Sequence, residues 1–307
     1  MEIENILNAK MKDSILVDTY AQIKREQKGK LRASVRSSVL DLLGLKHQLL
    51  GDEKNLKKPR IQFLYFHHIF KDELKNFENL LKYLSKDHFF ISHSEAVDRL
   101  INDRVDKPYI AWSSDDGIQN NVLAAKALNA YGASCCFYIN PASIGLTDAE
   151  RIKTFCRQRL EMPPVAFLNW SEVEMLQNQG HEIGNHTFKH DMVSQLTQTQ
   201  FEEDFLKADA ILSEKCGPIK HFAYTYGKFE HFTKPAFDFV LKSGYESCIS
   251  ASRGCHMNGK GVLNKNQVFL RRDQIIADWK LSHINHFLIK GAQELDYNTN
   301  FLPKSLA

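Results

Sequence analysis

Tyr109-Ile110-Ala111-Trp112-Ser113-Ser114-Asp115-Asp116-Gly117 is the stretch that decides the fold. Its apolar start reads as a buried strand. Two carboxylates, Asp115 and Asp116, end the strand abruptly, and Gly117 follows. Asn121 to Tyr131 is alanine-rich and reads as a helix that Gly132 stops. A strand that delivers charge at its carboxyl end and then feeds a helix is a unit of an α/β sheet. Such sheets place their chemistry at that end. Taken alone, Asp-Asp-Gly is most often a turn or a helix start.

Well downstream stands Gly180-His181-Glu182-Ile183-Gly184-Asn185-His186-Thr187-Phe188-Lys189-His190. A short strand, 181 to 184, delivers Asn185 and His186. On a helical turn, His186 and His190 would share one face, where two imidazoles can hold one metal. Taken alone, the pair is most often a solvated helix face.

Three segments in this order resemble the polysaccharide deacetylases, carbohydrate esterase family four with its NodB-homology domain. Ser113-Ser114-Asp115-Asp116-Gly117 resembles the family's first motif, and His186-Thr187-Phe188-Lys189-His190 matches the second. Phe222-Ala223-Tyr224-Thr225-Tyr226-Gly227 is similar to one branch's third motif. The resemblance runs from about residue 60 to the C-terminal region. It implies an irregular, incomplete TIM-like (β/α) barrel, here with an N-terminal helical extension. It also implies Asp115 as general base and Asp116, His186 and His190 as metal ligands. The backbone N–H of Tyr226 would meet the oxyanion.

The residue types support those roles. Amide hydrolysis needs a hydroxide-like nucleophile, oxyanion stabilisation and a proton for the leaving nitrogen. Two neutral imidazoles and one carboxylate leave metal positions open for water and a carbonyl. Such a site lowers the pKa of water to about 7. Zn²⁺ is the first choice; Co²⁺, Ni²⁺ and Fe²⁺ are also compatible.

The chain departs from the family pattern in several places. Ser113-Ser114 stands for the common Thr-Phe, Thr225 for a common Pro, and Ala223 for an Arg that pairs with the catalytic Asp. Arg271 or Arg272, at the end of the strand Phe269-Leu270, is read as orienting Asp115 or binding an anionic part of the substrate. Leu281-Ser282-His283 carries the letters of the last motif, which makes His283 a candidate acid. The helical spacing around it also allows a surface histidine, and His256 is a rival. His67, at the end of the strand Ile61 to Phe66, is read either as a substrate or metal-shell contact or as a core histidine.

The remaining helices are expected at Asp72 to Ser85, after a capping box at Ser92 and Glu95, after Ser171 and Glu174, and after Thr199 and Glu202. The connection from Asn140 to Phe167 is long enough to wall a substrate groove. Residues 59–307 are read as the catalytic domain. Residues 1–58 are read as a helical extension and linker, with Val35, Val39, Leu42 and Leu43 at helical spacing. Lys24, Arg25, Lys28, Lys30, Arg32 and Arg36 surround them. That arm either touches a membrane surface or an anionic substrate, or packs on its own domain or a second subunit.

The chain has 307 residues, 43% of them hydrophobic and 25% charged, which suits one large soluble domain plus an extension. A net charge of +3 is too small to argue for nucleic acid. No apolar run reaches transmembrane length, and Met1 to Lys10 shows no secretory pattern. The six cysteines, Cys135, Cys136, Cys156, Cys216, Cys248 and Cys255, form no Cys-x-x-Cys and read as reduced thiols. The cysteines and the missing secretory pattern point to a cytoplasmic protein, and the resemblance implies an enzyme that removes an N-acetyl group from an amino sugar during surface polysaccharide or lipopolysaccharide synthesis. The sugar would be nucleotide-linked, lipid-linked or an oligosaccharide. Alternatives are an N-deformylase or O-deacylase and, in another class, a carbohydrate-binding pseudoenzyme.

Overall fold

The structure, a computed structural model, describes residues 16–26, 30–294, 302–303 and 305–306. The leader reading at Met1 to Lys10 and the cation Lys28 lie outside them.

The strands are β1 (Arg60–Phe66), β2 (Phe89–Phe90), β3 (Pro108–Ser114), β4 (Cys135–Ile139), β5 (Glu182–Asn185), β6 (His221–Ala223), β7 (Ser247–Ile249), β8 (Val262–Asn264), β9 (Gln267–Leu270) and β10 (Asp273–Gln274). They form one sheet in the order β10-β1-β3-β4-β5-β6-β7-β9-β8, with β2 beside β3. Every pairing is parallel except β8 with β9. The curled sheet is a partial (β/α) barrel. β9 pairs with β7, and β10 pairs with β1 after only Arg271 and Arg272. One segment therefore touches both sides of the curl, and those two arginines sit at the crossing.

Side chains on a strand alternate between faces. On β3, Ile110 and Trp112 pack outward with helix residues such as Leu80, Ala124 and Leu128, while Tyr109 and Ala111 pack inward. Cys135 and Phe137 face outward and Cys136 and Tyr138 inward on β4. Ile61 and Phe63 set the inward parity of β1, and Val268 and Leu270 that of β9. These parities send Tyr65 and Ser113 inward and, continued past the strand ends, His67 and Arg272 as well.

The helices are α1 (Tyr20–Glu26), α2 (Lys30–Leu50), α3 (Leu74–Leu84), α4 (His93–Ile101), α5 (Asn121–Ala130), α6 (Ala149–Arg159), α7 (Trp170–Asn178), α8 (Gln198–Cys216), α9 (Lys234–Lys242) and α10 (Leu281–Gln293). Two starts differ from the expected caps by two residues. Asn169 with Glu172 makes the capping box of α7, and Thr197 with Gln200 that of α8. Both pairs fit the capping spacing as well as Ser171 with Glu174 and Thr199 with Glu202 do. Ser92 accepts the Glu95 N–H as expected. The 140–167 connection carries α6, capped by Asp148. Gly51 to Pro59 carries a 3₁₀ turn, Asp52–Lys57, that buries Leu56.

α2 lies along α10, joined by Asp41 to Lys280 and His283 at 2.9 Å and by His47 to His286 at 3.0 Å. Its outer face exposes Val35, Val39, Leu42, Leu45 and Leu49. No helix among the described residues is long and apolar enough to cross a membrane. The six cysteines carry no disulfide; five are buried and Cys216 is half-buried.

Candidate active site

At the carboxyl ends of the strands lies a cavity of about 480 Å³. Asp115, Asp116, His186, His190, Tyr226 and His67 line it, so the structure brings these predicted residues together. Arg272 reaches it through Asp115.

A continued strand would send Asp115 and Asp116 to opposite faces. Asp116 instead has φ 74°, which turns the chain and lets both carboxylates line the cavity. Gly117 follows at φ 65°, and a Cβ there would stand 2.9 Å from Ile144 Cδ1. Six non-glycine residues among those described have positive φ: Asp103, Asp116, Glu161, Thr187, His190 and Tyr226. All but Asp103 belong to the cavity wall or the second motif, the clustering expected where backbone strain serves a site.

His186 and His190 do not share a helix. β5 ends at Asn185, and left-handed residues at Thr187 (68°) and His190 (60°) fold the chain into a turn. Neighbouring groups hold that turn. Asn185 Oδ1 accepts the Thr187 N–H at 2.8 Å, and Asp204 accepts the Phe188 N–H at 2.7 Å. The Asn140 amide donates to the carbonyls of His186 and Thr187.

Asp116 Oδ1 stands 3.5 Å from His186 Nε2 and 3.4 Å from His190 Nε2. All three groups are buried, and their ligand atoms lie within 4.8 Å of one another. Asp116 Oδ1 has no hydrogen-bond partner among the described residues. His186 Nδ1 donates to the Ala223 carbonyl at 2.6 Å, which leaves Nε2 with its lone pair toward Asp116. With both rings neutral, their lone pairs and the carboxylate converge on one point, a donor set that suits a divalent cation. Burial pushes the Asp116 carboxyl up, but when the rings are protonated a hydrogen bond from His186 and the positive charge on His190, His67 and His186 outweigh it and hold it well below the carboxylate range.

Asp115 sits opposite a fully buried guanidinium. Arg272 Nη1 and Nη2 donate to its two oxygens, each at 2.8 Å. Nη1 also reaches Ser113 Oγ at 3.1 Å, and Nε reaches the Ser250 carbonyl at 3.2 Å. The guanidinium lies over the rings of Tyr65 (4.4 Å) and Tyr138 (5.4 Å). Burial alone would raise the Asp115 carboxyl; Arg272 outweighs it and keeps the group ionised. The cation missing from the third motif at Ala223 thus comes from the β9–β10 crossing.

The other candidates lie elsewhere. The Arg271 guanidinium packs over Phe229 at 5.0 Å. His283 is on α10 and bonds Asp41 at 2.9 Å, away from the cavity. His256 bridges to Ile61, at the opposite end of β1. Sequence reasoning missed Asn140, the Ala223 carbonyl, and Lys228 and Ile23, which also line the cavity. A backbone carbonyl leaves no side-chain signal, and Ile23 comes from the N-terminal segment. Leu160, Glu161 and Met162 of the 140–167 connection do line the cavity.

The polysaccharide deacetylase family model matches residues 102–245. The structure of IcaB from Ammonifex degensii superimposes with a TM-score of 0.63 at 18% identity, covering 77% of this chain and 98% of that one. The Streptococcus pyogenes deacetylase PplD, in complex with acetate, gives 0.58 at 15%, covering 76% and 98%. A polysaccharide deacetylase from Bacillus cereus gives 0.58 at 17%, covering 76% and 69%. At these identities the likeness is one of fold. No curated protein matches. The matched segment holds all three motifs, from Asp115 to Gly227, and with it the chain carries a polysaccharide deacetylase family domain.

Proposed function

We propose that the protein hydrolyses the N-acetyl group of an amino sugar, with a divalent metal, Zn²⁺ first, held by Asp116, His186 and His190. The observation that carries this reading is the meeting of those three lone pairs with an arginine-held carboxylate in one cavity. The acetate bound in the Streptococcus pyogenes structure is the acid this reaction would release. When bound, the ion supplies Lewis acidity at the carbonyl and an acidified water.

Asp115 takes the proton of the attacking water. Its carboxyl is held low by Arg272, so its conjugate acid is strong and passes the proton on to the leaving nitrogen. Tyr226, at φ 60°, offers its backbone N–H to the oxyanion. Gly227 follows at φ 64°, where a Cβ would collide with Ala251. Burial keeps His67 below the usual imidazole range, so it is neutral at pH 7 and suits a positioning role. Gln274 Nε2 donates toward its Nδ1 at 3.5 Å, which leaves the ring hydrogen on Nε2 for a sugar hydroxyl. His67→Ala is therefore expected to raise KM about tenfold with a smaller change in kcat. A fall in kcat alone, with the alkaline limb of its pH profile lost, would instead make His67 the acid.

The direct test loads the purified protein with Zn²⁺, counts metal per chain and assays acetate and formate released from N-acylated sugar nucleotides and oligosaccharides. One metal per chain with acetate release is the expected result. Formate release would shift the reading to a deformylase. Sugar binding without metal or turnover would favour the binding-module reading.

A further inference from the structure

Residues 16–26 lie across the catalytic rim, and three separate rim segments hold them. After β1, both Asp72 carboxylate oxygens accept N–H groups, from Tyr20 at 2.9 Å and Ala21 at 3.0 Å, and the Tyr20 ring lies 5.4 Å from His68. After β4, the Pro164 carbonyl accepts the Val17 N–H at 2.8 Å, and Arg157 pairs with Glu26 at 2.7 Å. After β10, Asp278 pairs with Lys24 at 2.6 Å. Tyr20 and Ile23 are buried in a satellite core with Phe70, Ile152, Val165 and Phe167. Burying such side chains contributes about 1.5–3 kcal/mol each, whereas exposed ion pairs contribute little. The segment is therefore a fixed wall, not a charge-latched lid.

Ile23 is 4% exposed, and it lines the cavity beside Leu160 and Met162. Beside the carboxylate of Glu161, Ile23, Leu160 and Met162 give this part of the lining an apolar surface. A sugar unit pushed against it would strip its hydroxyls of water without replacing the hydrogen bonds, a costly exchange. A cavity of about 480 Å³ has room for one or two sugar units inside it.

We propose that residues 16–26 form the end wall of the sugar cavity, with Ile23 as its specificity-determining residue, so that the site receives the terminal one or two units of a glycan. The identity of the ligand as a sugar rests on the deacetylase reading; the wall itself does not.

The test uses the full chain loaded with Zn²⁺ and N-acetylhexosamine oligomers from monosaccharide to hexamer. Affinities are read on the Asp115→Asn protein and acetate release on the parent. In the parent background, affinity is expected to stop rising beyond the dimer. Ile23→Asn, which shortens the wall and adds a hydrogen-bonding group, is expected to raise the hexamer-to-dimer affinity ratio about tenfold. Ile23→Leu should restore the parent ratio, which a general loss of folding would not allow. An unchanged ratio in Ile23→Asn, or affinity that keeps rising to the hexamer in the parent, would each overturn the wall, whereas binding of no oligomer would overturn the sugar as its ligand. Absence of acetate release with the length dependence intact would sink the deacetylase reading and leave the wall standing.

Discussion

Asp115→Asn is expected to bind its full complement of metal and to lose hydrolysis by about a thousandfold or more. The ligand atoms come from Asp116, His186 and His190, and none of them is touched by the change. The lost function is proton transfer, because an amide does not accept a proton from water near neutral pH. The substitution also alters the pairing with Arg272. Asparagine keeps one acceptor for the guanidinium, but its NH₂ then faces the other N–H at a place where Asp115 accepts at 2.8 Å. One buried hydrogen bond becomes a donor facing a donor, which costs about 1–3 kcal/mol. The variant should therefore melt earlier but still fold. Metal content and kcat on an N-acetylated oligosaccharide, measured on the same preparation, separate the two effects. Retained turnover would remove Asp115 as the base; loss of metal would mean that the substitution disturbs Asp116 as well.

Much of this site was legible in the sequence, for physical reasons. An apolar run that ends in two carboxylates before a helix reads as a strand end, and the second and third motifs, following in order, mark that end as the site. The second motif was legible as residues but not as geometry: its histidines meet through a turn with two left-handed residues, which spacing alone does not reveal. The choice between Arg271 and Arg272 was closed to sequence reasoning. Val268, Phe269 and Leu270 are all buried, so β9 shows no alternation that would mark its inner face. Only its packing, with Val268 and Leu270 inside the curl, makes Arg272 the inward residue. Leu281-Ser282-His283 failed in the opposite way. The letters matched, but they open a helix whose contact with Asp41 of α2 draws His283 away from the cavity. The wall at Ile23 left no local signal, because its position depends on Asp72, Arg157 and Asp278, all distant in sequence.

Arg272→Met is expected to be the most destabilising single change at the site. The guanidinium is fully buried and is the cation paired with the Asp115 carboxylate, which is itself buried. Removing one partner of such a pair costs about 3–5 kcal/mol, since the other charge stays in a poor solvent. Methionine fills much of the space between Tyr65 and Tyr138, so the loss is chiefly electrostatic and not a cavity effect. Activity should fall with stability, because Asp115 would lose both its orientation and the cation that keeps it ionised. The decisive comparison is the double variant Arg272→Met with Asp115→Asn. If the cost is the stranded charge, the second substitution should recover about half or more of the lost stability, although it cannot recover turnover. Denaturant midpoints of the four proteins supply the coupling. Additive losses would mean that Arg272 is held mainly by the aromatic rings and by Ser113 and Ser250, and that its pairing with Asp115 contributes little to the fold. Arg272→Lys adds a further distinction. It keeps the charge but loses the two-pronged geometry, so near-normal stability with impaired kcat would assign Arg272 to aiming the carboxylate, whereas normal values of both would reduce its role to charge alone.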